Sequence, residues 1–174
     1  SKLHERAKLL KNQAVSQTRE YWHEEIGFNY RMTNIQAAIG LAQLENGQDT
    51  LIRKSNLAKK YMEALHDLPI QFQETEKHGV NSFWMVSITT ENKKVRDSLR
   101  NHLSKNGVGT RPFFYPMHKQ DIFIKKGYFK HGRYPYSEFL SSNGFYIPSG
   151  LNLTVKQLNY VANTINNLLS DKPK

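Results

Sequence analysis

The stretch SFWMVSITTENKKVRDSLRNHLSKNG, Ser82 to Gly107, combines two hydrophobic periods and decides the predicted fold. Its first part, up to Thr90, alternates between two faces, as a half-buried strand does. One face carries Trp84, Val86 and Ile88, and the other carries Met85, Ser87 and Thr89. We therefore expect a strand that leads directly into the next element.

The second part of the stretch has the period of an amphipathic helix. Val95, Leu99 and Leu103 form an apolar stripe, because residues four apart lie on one helix face. Asn92 is a preferred N-terminal cap, and Gly107 tolerates the left-handed backbone that often ends a helix. The sequence thus predicts a helix between Asn92 and Gly107.

Two more strands and a final helix are predicted downstream. The segments Val108 to Tyr115 and Phe145 to Pro148 are interpreted as strands. Thr154 and Gln157 fit a capping box, in which each residue satisfies the other's backbone N–H group. The helix that follows has its apolar residues on one face: Leu158, Val161, Ala162, Ile165, Leu168 and Leu169. This order predicts a two-layer α/β domain with helices on one face of a small sheet.

The first third of the chain is predicted to be helical around an irregular loop. Residues 3–13 have apolar residues at helical spacing, whereas residues 14–31 are polar and aromatic without a sustained period. Thr33 and Gln36 form another capping-box match. The apolar pattern after them extends to Leu65, as one long helix or as two helices in line.

Two residues interrupt or end this helical pattern. Gly47 marks the place where the helix is expected to kink, since glycine is a weak helix former. Pro69 ends the pattern because proline lacks a backbone donor and restrains the residue before it. Residues 71–81 are polar and are interpreted as a linker.

Composition narrows the class of protein without selecting a function. The net charge is +10 and cysteine is absent, so the protein would attract anions but has neither disulfides nor a thiolate metal site. The mean hydropathy is −0.68, and no apolar stretch is long enough for a membrane span or a signal peptide. We therefore expect a cytoplasmic protein with no membrane partner.

Three stretches together resemble a known enzyme family. They are YWHEEIGFNYRMTNIQAAIG (Tyr21 to Gly40), TRPFFYPMH (Thr110 to His118) and FYIPSGL (Phe145 to Leu151). They resemble the nucleotide-sugar aminotransferases of the DegT/StrS family, which includes the GDP-perosamine synthases. The resemblance implies a fold-type I enzyme dependent on pyridoxal 5′-phosphate, and it covers nearly the whole chain.

The resemblance also implies how the chain is organised. Residues 1–33 would be a remnant of a large domain, 34–66 a long connecting helix, and 67–174 a small C-terminal α/β domain. In such enzymes a lysine upstream of the segment resembling Lys2 to Asn12 holds the cofactor as a Schiff base. We therefore expect no catalytic residue in this chain, and no activity from it alone.

Two residues of the irregular loop are candidate ligands of the cofactor or the substrate. By resemblance, Asn29 reaches across a homodimer interface and donates its amide to the cofactor phosphate of the neighbouring subunit. Without the family, an asparagine that satisfies its own loop in an Asx turn is the more common case. Arg31 either forks onto a phosphate or carboxylate of the substrate or anchors the loop.

Three further candidates lie in the second resembling stretch. Arg111 could present a guanidinium to the sugar or pyrophosphate, while nearby rings, including that of Tyr115, line the pocket; alternatively, it is a surface cation on an edge strand. His118 resembles a histidine near the substrate and could hydrogen-bond a sugar hydroxyl. A lone loop histidine is otherwise structural or exposed.

A basic aromatic segment leaves a second class of function open. Its members are Phe123, Lys125, Lys126, Tyr128, Phe129, Lys130, His131, Arg133, Tyr134 and Tyr136. It could stack a base and screen a diphosphate, or it is a solvated loop with buried rings. A nucleic-acid-binding module is disfavoured because the charge is dispersed along the chain. A cofactor-free interaction domain is the third alternative, and no histidine spacing indicates a metal.

The implied reaction transfers an amino group to a keto sugar. The donor would be glutamate, and the acceptor would be a nucleotide-linked keto-6-deoxyhexose such as GDP-4-keto-6-deoxymannose. The resemblance favours position 4 of the ring, whereas neighbouring families use the same motifs at position 3.

Overall fold

The computed structural model describes residues 1–129 and 132–170. The chain divides into two units, Ser1–Gly47 and Gln48–Lys174. The predicted mixed α/β class is confirmed. Within the described residues, none of the helices combines the length and the apolar character that a bilayer crossing requires.

The first unit contains two helices joined by the irregular loop. Helix α1, Lys2–Lys11, is capped by the Ser1 side chain, and helix α2, Asn34–Glu45, begins at the predicted capping box. Gln36 N donates to Thr33 Oγ1 over 3.3 Å, and Thr33 N donates to Gln36 Oε1 over 2.9 Å. Both helix starts therefore follow from local side-chain chemistry.

The helical pattern up to Leu65 corresponds to two helices. Helix α3, Gly47–Ala64, follows α2 after Asn46, and the division between the two units falls at Gly47. The Asn46 side chain donates to the Ala42 carbonyl over 2.8 Å. A side chain that bonds the preceding turn competes with the backbone ladder, which helps end α2 here.

The second unit contains a four-stranded antiparallel sheet. Its strands are β1 (Ile70–Phe72), β2 (Val86–Thr90), β3 (Arg111–Pro112) and β4 (Gly144–Ile147), in the spatial order β1-β2-β4-β3. β1 lies in sequence that was expected to be the domain boundary and linker.

Two of the predicted strands are shorter in the structure. Trp84, predicted to share the buried face, is 70% exposed. Phe83 has a φ of 45° and donates its N–H to Asn81 Oδ1, so the chain turns before β2 begins. The predicted strand from 108 to 115 pairs only at Arg111 and Pro112, because proline contributes no donor to the ladder.

One face of the sheet packs on helices and forms the core. Val86 and Ile88 of β2 pair with Ile147 and Phe145 of β4, and all four are buried. Helix α4, Lys93–Lys105, and helix α7, Val155–Leu169, pack on each other. The core cluster also contains Leu57, Ala58, Tyr61, Leu65, Leu99, Leu103, Val108, Leu158, Val161, Ala162, Ile165 and Leu169. The predicted two layers are thereby formed around one apolar centre.

The predicted start and end of α4 and the predicted start of α7 are confirmed. The Asn92 side chain caps α4 by accepting from Val95 N over 3.0 Å, and Gly107 beyond its C-terminus has a φ of 71°. Thr154 and Gln157 form the capping box of α7. Local signals therefore fix both elements.

Residues 116–136, which have little hydrophobic periodicity and were expected to form a long loop with a short helix, contain more regular structure together with the residues that follow them. They hold a 3-10 helix (Met117–Lys119), helix α5 (Asp121–Lys125) and helix α6 (Pro135–Asn143). α6 was not predicted, although Pro135 occupies the first helical turn, where proline is favoured. Two residues assigned to the basic aromatic segment, Lys130 and His131, lie outside the described residues.

Candidate functional site

The loop that carries Asn29 is fixed by the end of α1. Phe28 N donates to Leu10 O over 2.7 Å, and Tyr30 N donates to Lys11 O over 2.9 Å. These bonds satisfy carbonyls that the last helical turn leaves free. They hold the backbone on both sides of Asn29, so its side chain is presented from a defined position.

Three residues between α1 and α2 have uncommon backbone geometry. Gln13, Ala14 and Tyr21 have φ values of 61°, 50° and 56°, a region that costs non-glycine residues energy. Gly27 lies against the backbone of Gln13 and Ala14, where a Cβ atom would overlap them. The packing leaves space for glycine alone at this position, which keeps the loop in its strained conformation.

Asn29 and Arg31 are both exposed on the first unit. Within residues 1–47 the Asn29 side chain makes no hydrogen bond and Arg31 forms no ion pair. Phe28 and Tyr30, on either side of Asn29, stack with ring centroids 5.4 Å apart. The Asx turn considered for Asn29 is therefore not formed, and its amide is free to donate to an anionic group such as a phosphate.

Arg31 also lines a groove within the first unit. The groove has a volume of about 580 Å³ and is bordered by Arg19 and His23. The Arg19 guanidinium lies 3.8 Å from the centre of the Trp22 ring, and His23 Nδ1 lies 2.7 Å from Gln13 O. Since Arg19 stacks on Trp22 and His23 contacts Gln13 O, Arg31 is the side chain of these three that is available to a ligand.

The second unit carries Arg111, Tyr115 and His118 in three different surroundings. Arg111 lies on the edge strand β3 opposite Tyr146 and lines a shallow groove of about 300 Å³ beside Met85 and Pro148. Tyr115 is 75% exposed and lines a separate cleft. The structure therefore does not bring Arg111 and Tyr115 into one cavity within this unit.

His118 is held by a hydrogen bond with Glu138 that the sequence did not predict. Its Nε2 atom lies 3.0 Å from Glu138 Oε1, and Glu138 Oε2 lies 3.0 Å from Lys119 Nζ. The hydrogen bonds from Lys119 and then from His118 hold the pKa of Glu138 below its usual value. Glu138 follows Pro135 in the first turn of α6, and this helix start is the signal that could have identified it.

The rings of the basic aromatic segment pack on one another. The His118 ring lies 4.7 Å from Tyr134 and 6.4 Å from Phe129, and Phe123 lies 6.0 Å from Tyr128. The His118 side chain is only 11% exposed. Its Nδ1 atom is the ring nitrogen left for another partner, because Nε2 faces Glu138.

The chain is similar in sequence to known sugar aminotransferases. A GDP-perosamine synthase from Escherichia coli O157:H7 is 42% identical over 170 residues, which cover 98% of this chain and 45% of the relative. One from Vibrio cholerae is 35% identical over 160 residues, covering 91% of this chain and 43% of the relative. The chain thus spans less than half the length of these curated relatives.

Two solved structures resemble this chain in fold. DesV from S. venezuelae superposes with a TM-score of 0.84 and 26% identity over 99% of this chain and 45% of that chain. An aminotransferase from Brucella abortus, at 24% identity and a TM-score of 0.80, covers 98% of this chain and 44% of its own and shares the fold.

The family model for the DegT/DnrJ/EryC1/StrS aminotransferases matches residues 1–166. Members of this family are pyridoxal-phosphate-dependent transferases. Because the match covers almost the whole sequence and both perosamine synthases align along nearly all of it, this chain belongs to the DegT/DnrJ/EryC1/StrS aminotransferase family.

Proposed function

We propose that this chain is the C-terminal part of a cytoplasmic, homodimeric sugar aminotransferase. The intact enzyme would move an amino group from glutamate to a nucleotide-linked keto-6-deoxyhexose, for which GDP-4-keto-6-deoxymannose is our candidate. The observation that carries this proposal is the 42% identity to a GDP-perosamine synthase along 98% of the chain.

Bound pyridoxal phosphate would supply an amino-group carrier and an electron sink. Asn29 is the residue of this chain proposed to hold it. Its side-chain amide, which makes no hydrogen bond within residues 1–47, would donate to the cofactor phosphate across the dimer interface. A neutral directional donor suits a phosphate that is already charged. Arg31, exposed two residues later, would add a positive charge towards a phosphate or carboxylate of the substrate.

Three residues of the second unit are proposed to contact the sugar nucleotide. Arg111 would fork onto the pyrophosphate or the sugar, and Tyr115 would form part of the pocket wall. His118 would use Nδ1 to hydrogen-bond a sugar hydroxyl, because Glu138 occupies Nε2. These residues would bind and orient the substrate, and the lysine that carries the cofactor would lie outside these 174 residues.

Lys54 is the lysine of this chain that should be tested first as an alternative anchor for the cofactor. Burial lowers its pKa, a property shared with lysines that form Schiff bases. However, its ammonium already donates to the Trp84 and Ser149 carbonyls over 3.0 and 2.6 Å. These two bonds commit Lys54 to the fold of the second unit.

The intact enzyme provides the test of the proposed activity and of Asn29. Incubation with glutamate and GDP-4-keto-6-deoxymannose should yield the 4-amino sugar, detected by mass spectrometry. Asn29→Ala should weaken pyridoxal phosphate binding by about tenfold, the value of one charge-assisted hydrogen bond. The control is Asn101→Ala, an exposed position in α4, which should bind the cofactor normally. Unchanged cofactor affinity in the Asn29 variant would remove Asn29 from the site.

The 174-residue chain tests whether a cofactor lysine is present. After addition of pyridoxal phosphate, it should develop no stoichiometric visible absorbance band of a lysine-bound cofactor and no aminotransferase activity. Lys54→Arg is the matched control for adventitious labelling. A stoichiometric band that disappears in this variant would contradict the proposal, because Lys54 would then be the anchoring lysine.

A further inference from the structure

A cleft in the second unit has a charge pattern that the proposed function does not use. It has a volume of about 340 Å³ and lies between the start of α4, the residues after β3, and α6. Three cationic side chains line it, Lys93, Arg96 and Lys119, against one carboxylate, Glu138. A volume of this size is sufficient for a small ligand.

Arg96 is the unusual residue of this cleft. It is only 8% exposed, although a buried guanidinium normally has its donors paired. In the described part of the chain its Nε atom has no hydrogen-bond partner. Asp97 Oδ1 lies 2.7 Å from Nε and offsets the charge without forming an aligned bond. Because Nε is enclosed beside Asp97, the donors that a ligand in the cleft could reach are the two Nη groups, which make no hydrogen bond among the described residues.

The start of α4 adds a second source of positive potential. A helix N-terminus carries a partial positive charge, so acidic residues usually occupy its first turn. The first turn of α4 contains no acidic residue and instead contains Lys93 and Lys94. Lys93 lines the same cleft as Arg96. An anion in the cleft would relieve repulsion between the lysine, the guanidinium and the helix dipole.

The cleft's own carboxylate does not provide this relief. Both oxygens of Glu138 are engaged, one with His118 and the other with Lys119, at 3.0 Å each. The positive charge of Lys119 is in turn offset by the Glu138 carboxylate. Since Asp97 offsets Arg96, the lining cation that has no ion pair among the described residues is Lys93, beside the α4 N-terminus.

We propose that this cleft binds a phosphate-type oxyanion through Arg96 and Lys93. The planar fork of Arg96 matches two phosphate oxygens, and Lys93 supplies a mobile point charge at the opening. The Phe113 and Phe139 side chains line the remaining wall, so a phosphate ester with an organic substituent fits as well as free phosphate. This site requires no pyridoxal phosphate. Its lining also includes Tyr115, which the proposed function assigns to the substrate pocket, so the two proposals share that residue.

The test is isothermal titration of the 174-residue chain at low ionic strength. The probes are inorganic phosphate, pyrophosphate and guanosine diphosphate. Arg96→Met and Lys93→Met should each weaken binding about tenfold or more, as expected for a lost charge-assisted contact. Lys94→Met removes the same charge next to the cleft without removing a residue that lines it, and it should change affinity less than twofold. Lys93 is exposed, so its variant tests the site even if Arg96→Met does not fold.

The three probes distinguish the sources of the phosphate. Similar affinities for all three would support a site that recognises phosphate alone, whereas tighter binding of guanosine diphosphate would support a nucleotide ligand. Absence of binding by every probe would overturn the proposal. Equal weakening by Lys93→Met and Lys94→Met would also overturn it, since only net charge would then matter. Neither result bears on amino transfer, because no turnover is measured.

Discussion

The Lys54 ammonium lies 2.6 Å from the backbone oxygen of Ser149, although the two residues are 95 positions apart in the sequence. The same ammonium donates to the Trp84 carbonyl over 3.0 Å. Trp84 precedes β2 and Ser149 follows β4, so one side chain of α3 joins the ends of two paired strands. Lys54 therefore holds in place the part of the chain that contains the resembling stretch FYIPSGL.

Lys54→Met should destabilise the second unit. The substitution removes two charge-assisted hydrogen bonds and leaves two carbonyls that must find other donors, at a cost of about 1–3 kcal/mol. The measurement is the free energy of unfolding from urea denaturation. Lys59→Met, at an exposed position of the same helix, is the control and should change it by less than about 0.5 kcal/mol. Equal stability of the two variants would show that the Lys54 contacts contribute nothing.

Tyr61→Phe should preserve or raise stability at neutral pH. The Tyr61 hydroxyl is buried in the core without a partner among the described residues. An unpaired buried hydroxyl is costly, so its removal should gain up to about 1 kcal/mol. A loss of more than that amount in the unfolding free energy at pH 7 would mean that the hydroxyl has an unrecognised partner.

The same variant should change the alkaline stability profile. Burial raises the pKa of Tyr61 from 10.0 to about 12. Because the folded pKa is the higher one, this contribution is complete below pH 10 and is lost as pH rises from 10 to 12. Relative to Tyr61→Phe, the wild-type chain should lose about 1 kcal/mol by pH 11. Parallel profiles of the two proteins above pH 10 would contradict the prediction.

Local signals predicted much of this fold. In the capping boxes at Thr33 and Thr154, both hydrogen-bonding partners lie within four consecutive residues. Sequence alone therefore specifies those helix starts. β1 was missed because a three-residue strand has no measurable period and depends on pairing with β2. The prediction made β3 too long: only Arg111 and Pro112 pair with β4, and Pro112 contributes no donor to the ladder.

The candidate site was only partly accessible to the same reasoning. The exposed positions of Asn29 and Arg31 were compatible with the irregular loop that the sequence indicated. The hydrogen-bond partner of His118 could not be predicted from the sequence, because Glu138 is 20 residues away and belongs to a helix that was not predicted. Arg96 was not singled out by the sequence, because it is not part of the apolar stripe formed by Val95, Leu99 and Leu103. Its burial beside a cleft depends on how α4 packs near α6, which no local pattern encodes.

Glu138→Gln should alter acid stability through His118 and Lys119. The pKa of Glu138 is lowered in the folded chain, so its contribution is present above its unfolded pKa and is lost as pH falls through the folded value. The difference in unfolding midpoint between wild type and variant should therefore be largest at pH 6 and shrink towards pH 3. Glu91→Gln, at an exposed position without an ion pair in the described residues, should show no such trend. A constant difference would indicate that the carboxylate charge does not act here.

Gly144→Ala should disrupt the junction of α6 and β4. A Cβ atom at Gly144 would overlap the Phe113 ring and lie 2.7 Å from Leu140 O. Gly109→Ala is the matched control, because no atom lies within 4 Å of the Cβ added there.

Overpacking of this kind costs about 1–3 kcal/mol, so the thermal midpoint of Gly144→Ala should fall by several degrees while that of Gly109→Ala stays near wild type. The Phe113 ring lies 4.6 Å from Tyr146 and lines the cleft that contains Arg96. Displacing it should therefore weaken phosphate binding as well as stability. If Gly144→Ala unfolds at the wild-type midpoint, the Phe113 ring must be free to move aside, and the cleft wall would then be adaptable instead of fixed.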